Sequence, residues 1–509
     1  IEASLGKDPD RVLELIQEHR LWVKPVVNQL ITDYIHKTMT GGKASSVSIK
    51  DAARLISQTF EETYGEKSLS IATAYLNDWT LEQLGKKAQA DRIYKIATEH
   101  RLNNQFEEAI REYQRAIGLY TDIGDVRGEG EVLGGLGYIY FVEGSDTCLS
   151  YYQNALEARM KADDRFLIGG TLNTIGLIYY YFFYDLDKSL EYFNRAADIR
   201  EEIGHWAGLG TTLSIMGEVY KFNGELEHAI ASFERSYLIN QKADNPFRMA
   251  EAKLNLGSIL INTGRYPEAL DNLHVSLEIS QEISDTVMLG DVYAQLAKAH
   301  TYLGDYNTAI NYATTAFSMY EAINDSWGLA GAYNNTGLVL DEVGRRTKAL
   351  EYYEKSLELY TELGDQEHLI ILSNNIGIIE FNLGKYKDAE EYHLQALQTS
   401  NDIELESGKL SSLVNLANAQ NRLGKLDEAL ANYESALSIS RQLSSPDTEW
   451  RVMVGIGENH KLRGDYSKAI EYNEAGLNII EGLRTTLQNE EYRSSYMARE
   501  RYACLLYTS

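Results

Sequence analysis

The stretch Gly377–Ala396 reads GIIEFNLGKYKDAEEYHLQA. A small residue, Gly377, is followed twelve positions later by a second, Ala389, and after seven more by a third, Ala396. Gly384 stands between two segments with helical apolar spacing. The same order recurs along the chain. Its first members are Ala97, Gly137, Gly176, Gly217, Gly257, Ala297, Gly337, Gly377, Ala417 and Gly457, at steps of 40, 39, 41 and then 40 every time. The second small residue recurs as Ala109, Ala229, Ala269, Ala309, Ala349, Ala389, Ala429 and Ala469, with Cys148 and Ser189 in the two irregular repeats. Four residues beyond it an aromatic is usual: Tyr113, Tyr152, Phe193, Phe233, Tyr353 and Tyr433. A repeat of this kind decides the architecture before any local reading does.

Each unit reads as two helices that cross closely at the small residues, where a larger side chain would overpack the contact. Gly144, Gly224, Gly264, Gly304, Gly344, Gly384, Gly424 and Gly464 fall between the two helices, where a helix C-terminus favours a left-handed residue. Pro267 fits the first position of a second helix, and Pro246 and Pro446 are expected between repeats, where helices stop. The second repeat is one residue short around Ser145–Cys148. The third carries one extra residue in the run Tyr179–Tyr184, where a bulge or lengthened turn is expected.

The order of small, Ala, aromatic and small residues, with Gly-Lys-Tyr or Gly-Asp-Tyr at the turn, resembles the tetratricopeptide repeat over residues 84–480. The resemblance implies an all-α, right-handed superhelical solenoid of about ten hairpins that binds protein or peptide and is not an enzyme. Forty-residue units resemble those of kinesin light chains and of spindle-orientation adaptors. The family's late proline is absent, so turns between repeats are expected to differ.

Residues 1–83 lack the repeat and read as an N-terminal helical cap, with helices expected at 9–20, 22–39, 48–64 and 67–76 and a linker at Thr40–Ser46. Thr80 and Gln83 have the spacing of a capping box. Residues 481–509 read as a connector helix. The run "LNIIEGLRTTLQNEEYRSSYMARERY" resembles the connector that precedes a caspase-like CHAT peptidase domain in bacterial proteins, which suggests truncation before such a domain. A regulatory or sensor arm of such a peptidase is therefore one alternative function. A peptide-sensing transcription regulator is another, but residues 1–83 show no basic recognition helix.

Composition narrows the partners. With 48 basic and 75 acidic residues the net charge is −27, which repels nucleic acid and anionic membranes and favours basic partners. No apolar run reaches the roughly 18 residues needed to span a membrane. Two cysteines, Cys148 and Cys504, cannot form a disulfide framework and fit a reducing, cytoplasmic setting. Neither pairs with a histidine in the manner of a peptidase dyad. The ten histidines show no metal-ligand spacing, and His100, His300 and His460 share one repeat position that reads as half-buried. No cofactor is expected.

In the resembled family the first helix of each hairpin lines the groove. At its groove positions, or one step away, stand Asn173, Asn255, Asn334, Asn335, Asn374, Asn375, Asn415, Asn418 and Asn421. Asn is a mediocre helix former, so its recurrence inside helices asks for a reason. A primary amide both donates and accepts, and can pair with the main chain of an extended peptide whatever its sequence. The alternative is that asparagine fixes the turns between adjacent repeats. With hairpins two helix diameters apart, one rung is expected every five or six peptide residues. Asp341, Glu342 and Glu380 favour a basic ligand. The carboxylate clamp of chaperone-binding family members needs paired cations in neighbouring first helices, and Lys298 stands alone.

Overall fold

A computed structural model describes residues 9–486 apart from 41–42, 68, 72, 74–77 and 444. The described residues are helical throughout, without strands. From Leu81 onward the helices pair into ten hairpins, from Leu81–Leu102 with Phe106–Ile123 to Pro446–Leu462 with Tyr466–Thr486. The chain divides into two compact units, Ile1–Ala252 and Lys253–Ser509. Within each, consecutive helices pack as in a helical-hairpin solenoid.

The crossing of the two helices explains the first small residue. A Cβ on Gly377 would lie 2.5 Å from the ring of His393, and one on Gly337 would lie 2.8 Å from that of Tyr353. Phe193 and Phe233 lie as close to Gly176 and Gly217, at 2.7 Å each. The ring on the second helix thus rests on bare backbone of the first. The third small position adds a bond: Ser236 and Ser356 donate to the carbonyls of Gly210 and Ala330 at 3.0 and 2.7 Å.

All eight glycines expected at hairpin turns have positive φ, between +72° and +80°. At one of them Gly384 N–H reaches Phe381 O at 3.0 Å and Lys385 N–H reaches Glu380 O at 2.9 Å, which satisfies carbonyls the helix end would leave bare. The short second repeat has a hairpin turn of five residues, 143–147, and a second helix of 14, Cys148–Lys161, where the hairpin of Gly377 has three and 17. In the third repeat the first helix runs one residue longer, Arg165–Phe182, and Tyr184 takes φ +51° where eight hairpins place glycine and the first places Asn104, at φ +57°.

Pro246 and Pro446 differ from expectation: each is the first residue of a helix, where the missing N–H leaves no bond unmade. Pro267 is the second residue of Tyr266–Glu282.

The N-terminal segment forms Pro9–Glu18, Arg20–Met39 and Lys43–Tyr64, the last starting inside the stretch expected as linker. These helices share an apolar cluster with Leu84 of the first hairpin. Thr80 and Gln83 make the reciprocal capping-box bonds at 3.2 and 2.9 Å. The segment also reaches past the first hairpin. Lys24 pairs with Glu66 and with Asp164 at 2.7 Å, and Arg127 donates to Asn28 at 2.7 Å. Most of the expected connector, residues 487–509 with Cys504, lies outside the described residues, as do parts of the expected 67–76 helix and the glycines of the linker.

Candidate peptide-binding face

On the first helix of each hairpin an open stripe runs at ten, six and two residues before the reference residue and one and five after it. In Gln366–Asn382 these are Glu367, Ile371, Asn375, Ile378 and Asn382; four are exposed and Asn375 is half-buried. The position two before the reference carries a carboxamide in five successive hairpins: Asn255, Gln295, Asn335, Asn375 and Asn415. All five are half-buried and all belong to the Lys253–Ser509 unit. Gln295 escaped the sequence reading because that reading followed asparagine rather than the amide group. Its Oε1 is buried without a partner among the described residues, and no described side chain pairs with the amides of Asn255 or Asn335.

The other expected amides lie deeper. Asn173, Asn374 and Asn421 are buried. Asn374 donates to Ser412 at 2.9 Å and accepts from His393 at 3.0 Å, with the ring protonated on Nδ1. Asn421 accepts from Asn459 at 2.7 Å, Asn173 accepts from Arg200 at 3.1 Å, and Asn418 accepts from the Tyr433 hydroxyl at 2.5 Å. These amides hold neighbouring helices together. The two classes also meet: Asn375 donates to Asn334 at 3.2 Å, and one hairpin on Asn415 donates to Asn374 at 3.4 Å.

That contact corrects the expected rung spacing. Successive first helices touch directly, so rungs are about one interhelical distance apart, roughly 8–10 Å, rather than two diameters. An extended strand rises about 3.3 Å per residue, so a rung meets it about every third residue. The acidic groups also divide. Asp341 faces Arg346 at 3.4 Å and Glu380 pairs with Lys385 at 2.9 Å. Glu342 is exposed, with no ion pair among the described residues.

The remaining candidates are structural. Cys148 is fully buried, and burial pushes its thiol up to about 11. His100 bonds Gln105 at 2.6 Å, while His300 and His460 face Asp305 and Asp465 at 3.4 and 3.8 Å. Among the described residues no group of three or more His, Cys, Asp or Glu is placed to hold a metal, and no helix is long and apolar enough to cross a membrane.

Residues 248–322, 328–402 and 409–481 match the tetratricopeptide repeat family. Those three segments carry tetratricopeptide repeats. No curated protein matches the sequence. Among solved structures, a signal-transduction ATPase with numerous domains and a tetratricopeptide repeat sensor from Pyrococcus horikoshii is similar, at 16% identity and TM-score 0.49. The match covers 72% of this chain and 55% of that one, so the chain spans little more than half its length. Aspartyl phosphate phosphatase F from Bacillus subtilis aligns at 14% identity and TM-score 0.47, over 73% of this chain and 93% of that one. A Rap protein solved with competence and sporulation factor aligns at 18% and 0.43, over 71% and 99%.

Proposed function

We propose that the chain is a protein- or peptide-binding scaffold whose first-helix face reads the main chain of an extended peptide. The observation that carries this reading is the ladder Asn255, Gln295, Asn335, Asn375 and Asn415, five carboxamides in one register on the open stripe. Each rung contributes only about 0.5–1.5 kcal/mol net, so several must act together. Exposed Ile371 and Ile378 flank the rungs and offer apolar contact. Glu342 and the net charge of −27 favour a basic ligand, bound more weakly at high salt. Serving as the sensor arm of a longer protein is the same activity in a larger setting. A caspase-like CHAT domain is the finer form of that idea, tested by the reading frame beyond Arg501.

The test selects binders from mixed-sequence, Lys- and Arg-rich peptides of about twelve residues, enough to span about four rungs. Asn335→Ala with Asn375→Ala is expected to weaken binding at least tenfold without lowering the melting temperature. Early unfolding with normal binding would assign the amides to structure, and the ladder would fall.

A further inference from the structure

In the Ile1–Ala252 unit, buried cations generally have acids beside them. Lys24 has Asp164 and Glu66, and Lys87 has Asp91 at 2.5 Å and Asp125 at 3.2 Å. Arg159 and Arg200 do not. They occupy equivalent places on the second helices of successive hairpins, seventeen residues before Gly176 and Gly217. The same place holds Tyr120 in the first hairpin and Asn240 in the fourth.

Arg200 is only 9% exposed. Its Nη1 donates to Asn173 Oδ1 at 3.1 Å, to the Gly208 carbonyl at 2.8 Å and to the Thr212 hydroxyl, all of them neutral. Its Nε is buried without a partner among the described residues. Nη2 makes no hydrogen bond to a described residue either, which leaves one whole edge of the guanidinium unused. Two parallel N–H bonds on one edge are the geometry that grips a carboxylate. A second unpartnered atom lies beside the same glycine. His205 Nδ1 is buried and unbonded, and a Cβ on Gly208 would lie 2.5 Å from it and 3.0 Å from Arg200 Nε. Burial alone draws the Arg200 guanidinium down to about 10, and no acid offsets it.

Arg159 repeats the arrangement one hairpin earlier. Its Nη1 donates to the Thr171 hydroxyl, its Nε is buried without a partner, and a Cβ on Gly134 would lie 2.5 Å from its Nη2. Thr171 and Thr212 are equivalent residues, as are Gly134 and Asn173. On the two first helices that Arg200 bonds, the stripe is made of small residues, Gly170, Thr174, Ala207 and Thr211, with nothing within 4 Å of a Cβ on Gly170. Burying a guanidinium against neutral acceptors leaves its charge uncompensated, and an incoming carboxylate would supply the missing half.

We propose that Arg200, bordered by His205 and Asn173 and repeated one hairpin earlier by Arg159, is a carboxylate-binding subsite for the terminal or side-chain carboxylate of a peptide ligand. The proposal rests on the first-helix face being the binding face. In a chain of net charge −27 such a subsite admits a carboxylate where the rest of the surface repels it, and so orients the ligand. The sequence search missed it because a clamp was sought on first helices, whereas these arginines stand on second helices and bond to first-helix residues.

The experiment uses the full chain with 15N-labelled arginine and glutarate as the probe, against chloride at equal ionic strength. Glutarate is expected to move the Arg200 Nε–H resonance saturably and to raise the melting temperature above the chloride control, as a ligand specific to the folded state must. Arg200→Lys, which keeps the charge but loses the fork, is expected to weaken glutarate at least tenfold, whereas Asn375→Ala leaves it unchanged. An unmoved Arg200 signal, or a response that chloride reproduces, overturns the proposal even if Arg200→Lys fails to fold. So does wild-type affinity in a folded Arg200→Lys. Failure here leaves the amide ladder standing, because its residues lie in the other unit. Glutarate binding without peptide binding would keep Arg200 as a carboxylate site but sink the peptide reading, and with it the peptide as that site's ligand.

Discussion

Gly377→Ala adds one methyl group where the structure has no room for it. The new Cβ would sit 2.5 Å from His393 Cε1, about 1 Å inside normal contact. The ring cannot swing away freely. It is 1% exposed and tied to Asn374 through Nδ1 at 3.0 Å. Overpacking of this kind costs about 1–3 kcal/mol, and losing the buried hydrogen bond adds about 1 kcal/mol, so a loss of about 2–4 kcal/mol is expected. His393→Ala alone leaves a cavity, but in the double variant the methyl enters vacated space. The two changes are therefore expected to be less than additive, with a coupling of about 1–2 kcal/mol. Global melting reports that stability is lost but not which repeat loses it, because stacked repeats unfold piecewise. Amide exchange across Gln366–Asp402 is the appropriate assay. Additivity within about 0.5 kcal/mol, the behaviour of sites that do not touch, would refute the crossing argument.

Two further outcomes are expected. Burial holds His393 down to about 4, from the ordinary 6.5. Between those values the unfolded chain takes up a proton that the folded chain refuses, so stability falls as pH falls from 6.5 toward 4, by at most about 3 kcal/mol. His393→Gln should remove this component in acid denaturation curves, and an unchanged pH dependence would show that the ring protonates in place. In a Cys504→Ser background, the Cys148 thiol should react with a disulfide reagent far more slowly in native buffer than in denaturant. Equal rates would place it at the surface.

The hairpin was legible in the sequence because one physical demand recurs at one position. Glycine takes the left-handed turn at Gly384 without strain, and only a small residue lets His393 or Tyr353 rest on the partner helix. The candidate face was less legible. Asn374 and Asn375 are neighbours in a helix, yet one is buried between repeats and the other half-open. Residue type does not separate them; the turn of the helix does. Arg159 and Arg200 were hidden for another reason. Their position accepts tyrosine, arginine, asparagine or serine, so no residue type repeats there to attract notice. The N-terminal segment's grip on Asp164 through Lys24 is a long-range pairing that no local pattern announces.

The left-handed residues divide unevenly between the two kinds of turn. Inside hairpins they are mostly glycine, which adopts that conformation without strain. Between hairpins Asp163, Asp244, Ser284, Asn324 and Glu404 hold φ between +47° and +57°, at a cost of about 1 kcal/mol or more each. Gly124, Gly204 and Gly364 hold the same place at three other junctions without that cost, so within each unit the junctions without glycine are the pre-loaded joints and the hairpins are the stiff links. Under tension such a chain would give way at the joints before the links, lengthening by whole hairpins and not by single turns of helix. If the amide ladder binds peptide as proposed, its rungs sit on successive links, and a pull that opened one joint would draw two rungs apart and release the ligand without any second binding site.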